Sequence, residues 1–373
     1  MKKSFFLVFF ISFCLFNAWS QTQPYWYSLE RGKFYFRTGE YGRALIAFES
    51  AKRDRNNMYT RMERDIIELL SNPAVRALGD SLERVEVYIK DRYLVHANAA
   101  LQELYHRYPK RLLENSVFRA LEEIGKLKDF PEAEYWIGET FRIEGELGIA
   151  LEQYRKAYSQ RRFLENPNFS IEILYRMVDV LKTMQNYAEM ERLALEIIEQ
   201  NDSLWIGGAG VITRSAMNTI LESRNDGLTR FLVIYRYNNN TVERAHRILG
   251  LYYYSSGRYR QAAEHLMFSF LIQNTILIEE LMRGQFDFQF TNLDDLIVQA
   301  RRRPALLNYI QEVEYYRTLY YFAAAMYSDG NTKQVPARQL WTLLSNQPDA
   351  GEWANRARLQ LRAPFVERIT EMP

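Results

Sequence analysis

Residues 138–157 read GETFRIEGELGIALEQYRKA, and this stretch leaves a chain little choice of fold. Before Gly145, a small residue (Gly138) and an aromatic (Phe141) lie three apart; after it, Leu147, Ala150, Tyr154 and Ala157 follow at steps of three and four. That periodicity on both sides of a glycine predicts two amphipathic helices joined by a tight turn. Gly145 supplies the left-handed backbone that such a turn requires. Gly138 and Ala150 let the helices approach closely, while Phe141 and Tyr154 fill the space beside them. The array occurs again as Gly32, Tyr35, Gly39, Tyr41, Ala44, Phe48 and Ala51, and as Gly250, Tyr253, Gly257, Tyr259, Ala262 and Leu266.

These three copies resemble the tetratricopeptide repeat family, whose unit of about 34 residues has small, aromatic and alanine positions at these offsets. The resemblance implies an all-α solenoid of stacked antiparallel hairpins, wound as a right-handed superhelix. The clear repeats fall near 26–55, 131–161 and 241–275. Ala44, Ala150 and Ala262 stand roughly three repeat lengths apart, so worn hairpins are expected between them. One such copy is Ile171–Met184 with Tyr187–Glu199, where Gln185 replaces the turn glycine and Met190 the alanine. LVHANAALQELYHRYP, from Leu94, resembles the second helix of another.

The chain opens MKKSFFLVFFISFCLFNAWS: a lysine head, an apolar run from Phe5 to Phe16 and small residues at Ala18 and Ser20. The run is too short to span a bilayer, and the pattern is that of a signal peptide cleaved near Ser20/Gln21. A retained anchor and a lipoprotein at Cys14 are the alternatives, although Phe13 stands where lipid attachment takes a small residue. Cys14 is the only cysteine, so a chain starting at Gln21 has neither disulfides nor thiolate ligands. Loss of Lys2 and Lys3 brings the 48 basic residues level with the 46 acidic ones. Nothing in this balance favours nucleic acid. No later stretch reads as a transmembrane span. Residues 21–373 read as a single elongated helical-repeat domain, exported to the periplasm or secreted.

About eighteen helices are expected. Among them are Trp26–Arg37 and Tyr41–Arg55, then a separate helix over MYTRMERDIIELL from Met58 and another from Pro73. Trp205 to Gly210 interrupts the pattern before helices near Val211–Arg224 and Leu228–Tyr237. The second helix of the copy at Gly250 overruns towards Met282. Phe286, Phe288 and Phe290 alternate, which predicts an extended segment that folds back with one face buried. A helix from Leu293, capped by Thr291 or Asn292, ends at Arg301–Arg303. Leu306–Tyr327 reads as one long helix, followed by Val335–Leu344, Trp353–Leu361 and a frayed tail after Pro364.

No enzyme motif emerges. His96, His106, His246 and His265 are scattered without a metal-binding spacing, and each reads as a surface or seam residue. The nucleophile-elbow and phosphate-loop patterns do not occur. The glycines of Gly207–Gly210 read as a loop, and acidic pairs such as Asp294–Asp295 as solvated helix faces. No catalytic, cofactor or metal site is therefore assigned.

The resemblance points instead to a binding groove lined by the first helix of each hairpin. Its motif positions carry Lys33, Phe36 and Arg37 in the first copy, beside Trp26 and Leu29. In the second they carry Tyr135, Glu139 and Arg142, beside Glu132 and Ile143, and in the third Arg244, Arg247 and Tyr254, beside Leu251 and Ser255. Aromatics and arginines are the types that dominate interface hot spots. The sequence thus predicts a non-enzymatic scaffold that binds envelope proteins or peptides, as family members do in outer-membrane, cell-wall, transporter and periplasmic flagellar assemblies. Two other readings stand beside it: a small-ligand carrier with a pocket lined by Tyr252, Tyr254, Tyr320 and Tyr321, and a wall-acting enzyme.

Overall fold

The computed structural model describes residues 24–70, 80–107, 115–202, 231–232, 235–285, 287–330, 334–367 and 369. The leader, the Trp205–Gly210 interruption, the start of the helix from Pro73, the helix near Val211–Arg224, part of that near Leu228–Tyr237 and Phe286 lie outside the described residues. The end of the Pro73 helix is described as Asp80–Lys90. Among the described residues the protein is all-α, without a strand: sixteen α-helices and the 3-10 turn Arg161–Phe163. It divides into two compact units, Met1–Arg176 and Met177–Pro373.

The first unit contains α1 (Tyr25–Arg37), α2 (Tyr41–Leu70), α3 (Asp80–Lys90), α4 (Leu94–Arg107), α5 (Asn115–Leu127), α6 (Pro131–Ile143), α7 (Leu147–Ser159) and the start of α8 (Phe169–Thr183). The second completes α8 and adds α9 (Tyr187–Asn201), α10 (Asn240–Ser255), α11 (Tyr259–Gly284), α12 (Leu293–Arg301), α13 (Pro304–Glu312), α14 (Tyr315–Asp329), α15 (Gln334–Ser345) and α16 (Glu352–Arg362). Neighbouring helices pack as pairs: α1 with α2, α3 with α4, α6 with α7, α10 with α11, α14 with α15 and α15 with α16.

Five turns between helices share one hydrogen-bond pattern. The turn residue is Gly39, Arg92, Gly145, Gln185 or Gly257, each with φ between 58° and 84°. At the first of them Gly39 N donates to Phe36 O and Glu40 N to Tyr35 O. The same two bonds recur at Arg92–Tyr93, Gly145–Glu146, Gln185–Asn186 and Gly257–Arg258. Each pair satisfies carbonyls at the end of the first helix and sets the direction of the second. Arg92 marks a copy worn away in sequence: Val85, Tyr88, Leu94, Ala97, Leu101 and Leu104 hold the offsets of Gly138, Phe141, Leu147, Ala150, Tyr154 and Ala157.

Chain order and packing order differ in the first unit. α2 continues without a break through Asn56 and Asn57 to Leu70, because neither a glycine nor a proline interrupts it. Its first half packs on α6, where Ala44, Phe48 and Ala51 meet Phe130, Ala133 and Ile137. Its second half carries Tyr59, Ile66 and Leu70 into a separate cluster with α3, α4 and α5. The first clear hairpin therefore meets the second directly, and α3–α5 form a side branch on the extended end of α2.

The second unit repeats this plan. α11 runs for 26 residues and is buried along nearly its whole length. It packs against α10 and α14, while α12 and α13 form an excursion between α11 and α14. Asn292 caps α12, its Oδ1 accepting from Asp295 N at 2.9 Å, while Thr291 N donates back to Asp295 Oδ2 at 2.9 Å. Asn292→Ala is expected to lower the local stability of α12 by about 1 kcal/mol, seen as faster amide exchange over Leu293–Ile297. Phe288 is buried and stacks on Phe290 with ring centroids 6.3 Å apart, while Gln289 between them is exposed.

The long helix expected over Leu306–Tyr327 is broken at Glu314, whose φ is +50°. Tertiary partners hold the break open. Gln273 Nε2 donates to the freed Val313 carbonyl at 3.1 Å, and the Glu314 carboxylate accepts from Arg317 at 2.9 Å and from Arg247.

Candidate functional site

The nine residues singled out in the sequence fall into two strips, one in each unit. In the first unit, α1, α6 and α8 supply a continuous aromatic and charged surface. Lys33 pairs with Glu30 at 2.7 Å, and its ammonium sits 5.8 Å from the Trp136 ring centroid. Phe36 packs edge-on against Trp136 at 5.4 Å and Tyr41 at 5.7 Å, and Arg37 is exposed. Tyr135, next along, is buried edge-to-face on Trp136 at 5.5 Å and on Phe169 at 4.7 Å. Burial pushes its phenol up to about 12.

Glu139 anchors the far end of this strip. It is buried, yet Arg142 reaches it at 2.9 Å, Arg176 at 3.3 Å and the Tyr154 hydroxyl at 2.5 Å. A buried carboxylate with three donors is tolerated because its charge is matched and its lone pairs are occupied. Burial and the Glu139 charge raise the Tyr154 phenol far above its ordinary value, so the hydroxyl remains a donor. Arg142 and Arg176 stay partly exposed, and Arg176 also pairs with Glu172 at 3.0 Å. Sequence reasoning missed Trp136 and Arg176, since neither occupies a groove position of the motif.

In the second unit Arg244 pairs with Asp179 at 2.5 Å, bringing α8 and α10 together. Lys182 lies in the field of this pair, and burial lowers its pKa. Arg247 is nearly buried, bound to Glu243 at 3.4 Å and to Glu314. Glu243 in turn accepts from Ser269 and from Gln273, each at 2.7 Å. Tyr254 is buried against Tyr259 and Tyr321. Arg247 and Tyr254 thus contribute mainly to the interior, whereas Arg244 remains partly exposed.

Beyond Arg317, a cleft of about 850 Å³ opens between α13, α14 and α16. Tyr316, Arg317 and Tyr321 from α14 line it, with Trp353 and Arg356 from α16. The Arg356 guanidinium lies 4.4 Å from the Trp353 ring centroid and 5.0 Å from that of Tyr320. Tyr254, Tyr320 and Tyr321 therefore do converge, whereas Tyr252 stacks elsewhere, on Tyr187.

A second cleft, about 1050 Å³, lies where the α3–α5 branch meets α2. Met58, Met62, Val95 and Leu164 give it an apolar lining, with Arg92, Lys126 and Arg162 among its charged residues. Two of the histidines meet in the interior: His246 Nδ1 lies 3.0 Å from His265 Nδ1, and His246 Nε2 lies 3.5 Å from Asp202. Among the described residues no group of three or more His, Cys, Asp or Glu is placed to hold a metal ion, and no helix is long and apolar enough to cross a membrane.

No family model matches the chain. It is 19% identical over 291 residues to an uncharacterized protein of Borreliella burgdorferi, covering 72% of this chain and 90% of that one. An uncharacterized protein of Treponema pallidum (strain Nichols) is 24% identical over 336 residues, which makes this chain similar to it across 90% of its own length and 89% of the relative's.

Proposed function

We propose that the chain is a non-enzymatic scaffold of the bacterial envelope, built on tetratricopeptide-type repeats, that holds partner proteins on its first-helix faces. The observation that carries this reading is the strip from Lys33 to Arg176. Three helices set Lys33, Phe36, Trp136, Arg142 and Arg176 on one surface, with partly exposed aromatics beside cations. Such surfaces suit recognition of protein segments, and the repeated turns fix the spacing of the helices that carry them. The leader pattern supports export. Assemblies of the outer membrane, cell wall, transporters or periplasmic flagella are the settings in which such a scaffold works.

Crosslinking in the native envelope, followed by purification, tests the proposal. Lys33→Glu combined with Arg37→Glu reverses the partly buried Lys33, which loses its Glu30 pair and its place over Trp136, and the exposed Arg37. The double change is expected to cost about 1 kcal/mol of stability while the protein stays folded. Recovery of the crosslinked partner should fall roughly fivefold or more, as for loss of about 1 kcal/mol of binding energy. Equal recovery with the charge-reversed protein would remove this strip from the binding surface.

A further inference from the structure

One wall of the cleft between α14 and α16 is itself a length of polypeptide, the chain's own residues 363–367. The fully buried Gln360 grips their backbone at one point. Its Nε2 donates to Phe365 O at 3.1 Å and its Oε1 accepts from Phe365 N at 2.9 Å. Two residues on, the Glu367 carboxylate accepts from Arg356 at 2.5 Å and from the Tyr320 hydroxyl, and Gln360 Nε2 also reaches that hydroxyl at 3.1 Å. The site therefore reads backbone at one residue and a carboxylate two residues later. It makes little use of the side chains between, since Phe365 and Val366 are 50% and 51% exposed.

We propose that this is a docking site for an extended acidic segment of a partner protein, occupied in cis by residues 363–367. The inference deepens the scaffold reading and rests on it. Three features carry it. A buried glutamine bonded to both backbone groups of one residue accepts any extended segment, whatever its side chain there. The partly buried Arg356, stacked on Trp353, supplies a guanidinium for a carboxylate at a fixed spacing. The tail buries few apolar atoms, so its hold rests on these polar bonds, each of which a partner segment of the same kind can replace. Beside it the 850 Å³ cleft, bordered by Glu367 and Ile369, offers room along Tyr316, Tyr321 and Trp353. A partner segment with the same carboxylate and an aromatic side chain directed into that space gains contacts the tail lacks.

The test uses the full chain and a fluorescein-labelled peptide with the sequence of residues 363–369, read by anisotropy. In the wild type the tethered tail competes at an effective concentration on the order of millimolar, so the probe binds weakly. Glu367→Ala weakens the tail's hold and should raise probe affinity roughly tenfold or more. Adding Arg356→Ala should abolish the gain, and so should alanine in place of the probe's glutamate, a control that leaves the protein unchanged. Equal, weak binding to wild type and Glu367→Ala would overturn the proposal and leave the tail as a terminal cap. Concentration-dependent dimers of the wild type in sedimentation, lost in Glu367→Ala, would also overturn it, by assigning the site to a second copy's tail. Either failure would leave recovery through the Lys33–Arg37 surface unaffected, so the two proposals fail separately.

Discussion

Gly250→Val is expected to destabilise the second unit by about 3 kcal/mol, at the upper end of overpacking penalties. A Cβ at this position would lie 2.5 Å from Leu266 Cγ and 3.2 Å from Leu266 N. The first atom could move in isolation, but Leu266 is fully buried, and its amide belongs to α11, which is enclosed by α10, α12 and α14. The helices must separate, and every apolar contact along their seam then weakens. Urea unfolding reads the effect as a lower midpoint at unchanged slope. Gly148→Ala provides the contrast: no atom lies within 4 Å of its Cβ position, and the helical site should gain a few tenths to about 1 kcal/mol. A valine tolerated at 250 within about 0.5 kcal/mol would show that the close approach of α10 and α11 is not required.

Acid should unfold the protein through the pair His246 and His265. Burial lowers the pKa of both, His265 well below the usual 6.5, and at His265 the neighbouring His246 adds to the effect. Asp202 and, more weakly, Glu243 oppose the shift at His246. In the unfolded chain each ring takes a proton near pH 6.5, whereas in the folded chain each resists it. The unfolded state therefore binds more protons below that pH, and stability, full above it, falls as pH decreases towards the folded-state values. The slope is at most about 1.4 kcal/mol per pH unit for each histidine. Denaturant midpoints at pH 7.5, 6.5 and 5.5 should fall slightly between the first two and about three times as far between the second and the third. His265→Asn, which cannot take up a proton, should reduce the drop between pH 6.5 and 5.5. A flat profile across all three would contradict the account.

Much of the fold could be read from residues because the hairpin's demands are local. A small residue must face a bulky side chain, and a left-handed residue must close the turn; at Gly32, Gly138 and Gly250 the opposing side chains are Phe48, Tyr154 and Leu266. The worn copy at Gln185 was legible because its apolar phase survives, whereas Arg92 conceals the turn of α3 and α4 behind a residue type that gives no turn signal. What stayed hidden depends on distant partners. Nothing between Leu306 and Tyr327 announces a break, because the group that accommodates it, Gln273, lies on another helix. Glu139 and Tyr254 looked like groove residues from their motif positions, and their neighbours decide that both are buried. Gln360 and Glu367 gave no signal, since their roles arise only when the tail turns back along α16.

The side branch on α2 carries a consequence for how the first unit assembles. In a linear repeat array each hairpin folds against the next one synthesised, and the chain closes only short loops. Here Ala51 on α2 meets Ala133 on α6 across everything that forms α3, α4 and α5. Closing a disordered loop of that size costs on the order of 4 kcal/mol in entropy. The penalty is smaller if α3–α5 have already collapsed onto Tyr59, Ile66 and Leu70, because a folded insert holds its own ends in place. On this account the branch acts as a folding clamp, its core forming from nearby sequence and delivering α6 to the first hairpin. Weakening it with Leu101→Ala should slow refolding of the seam between α2 and α6, to which Leu101 does not belong.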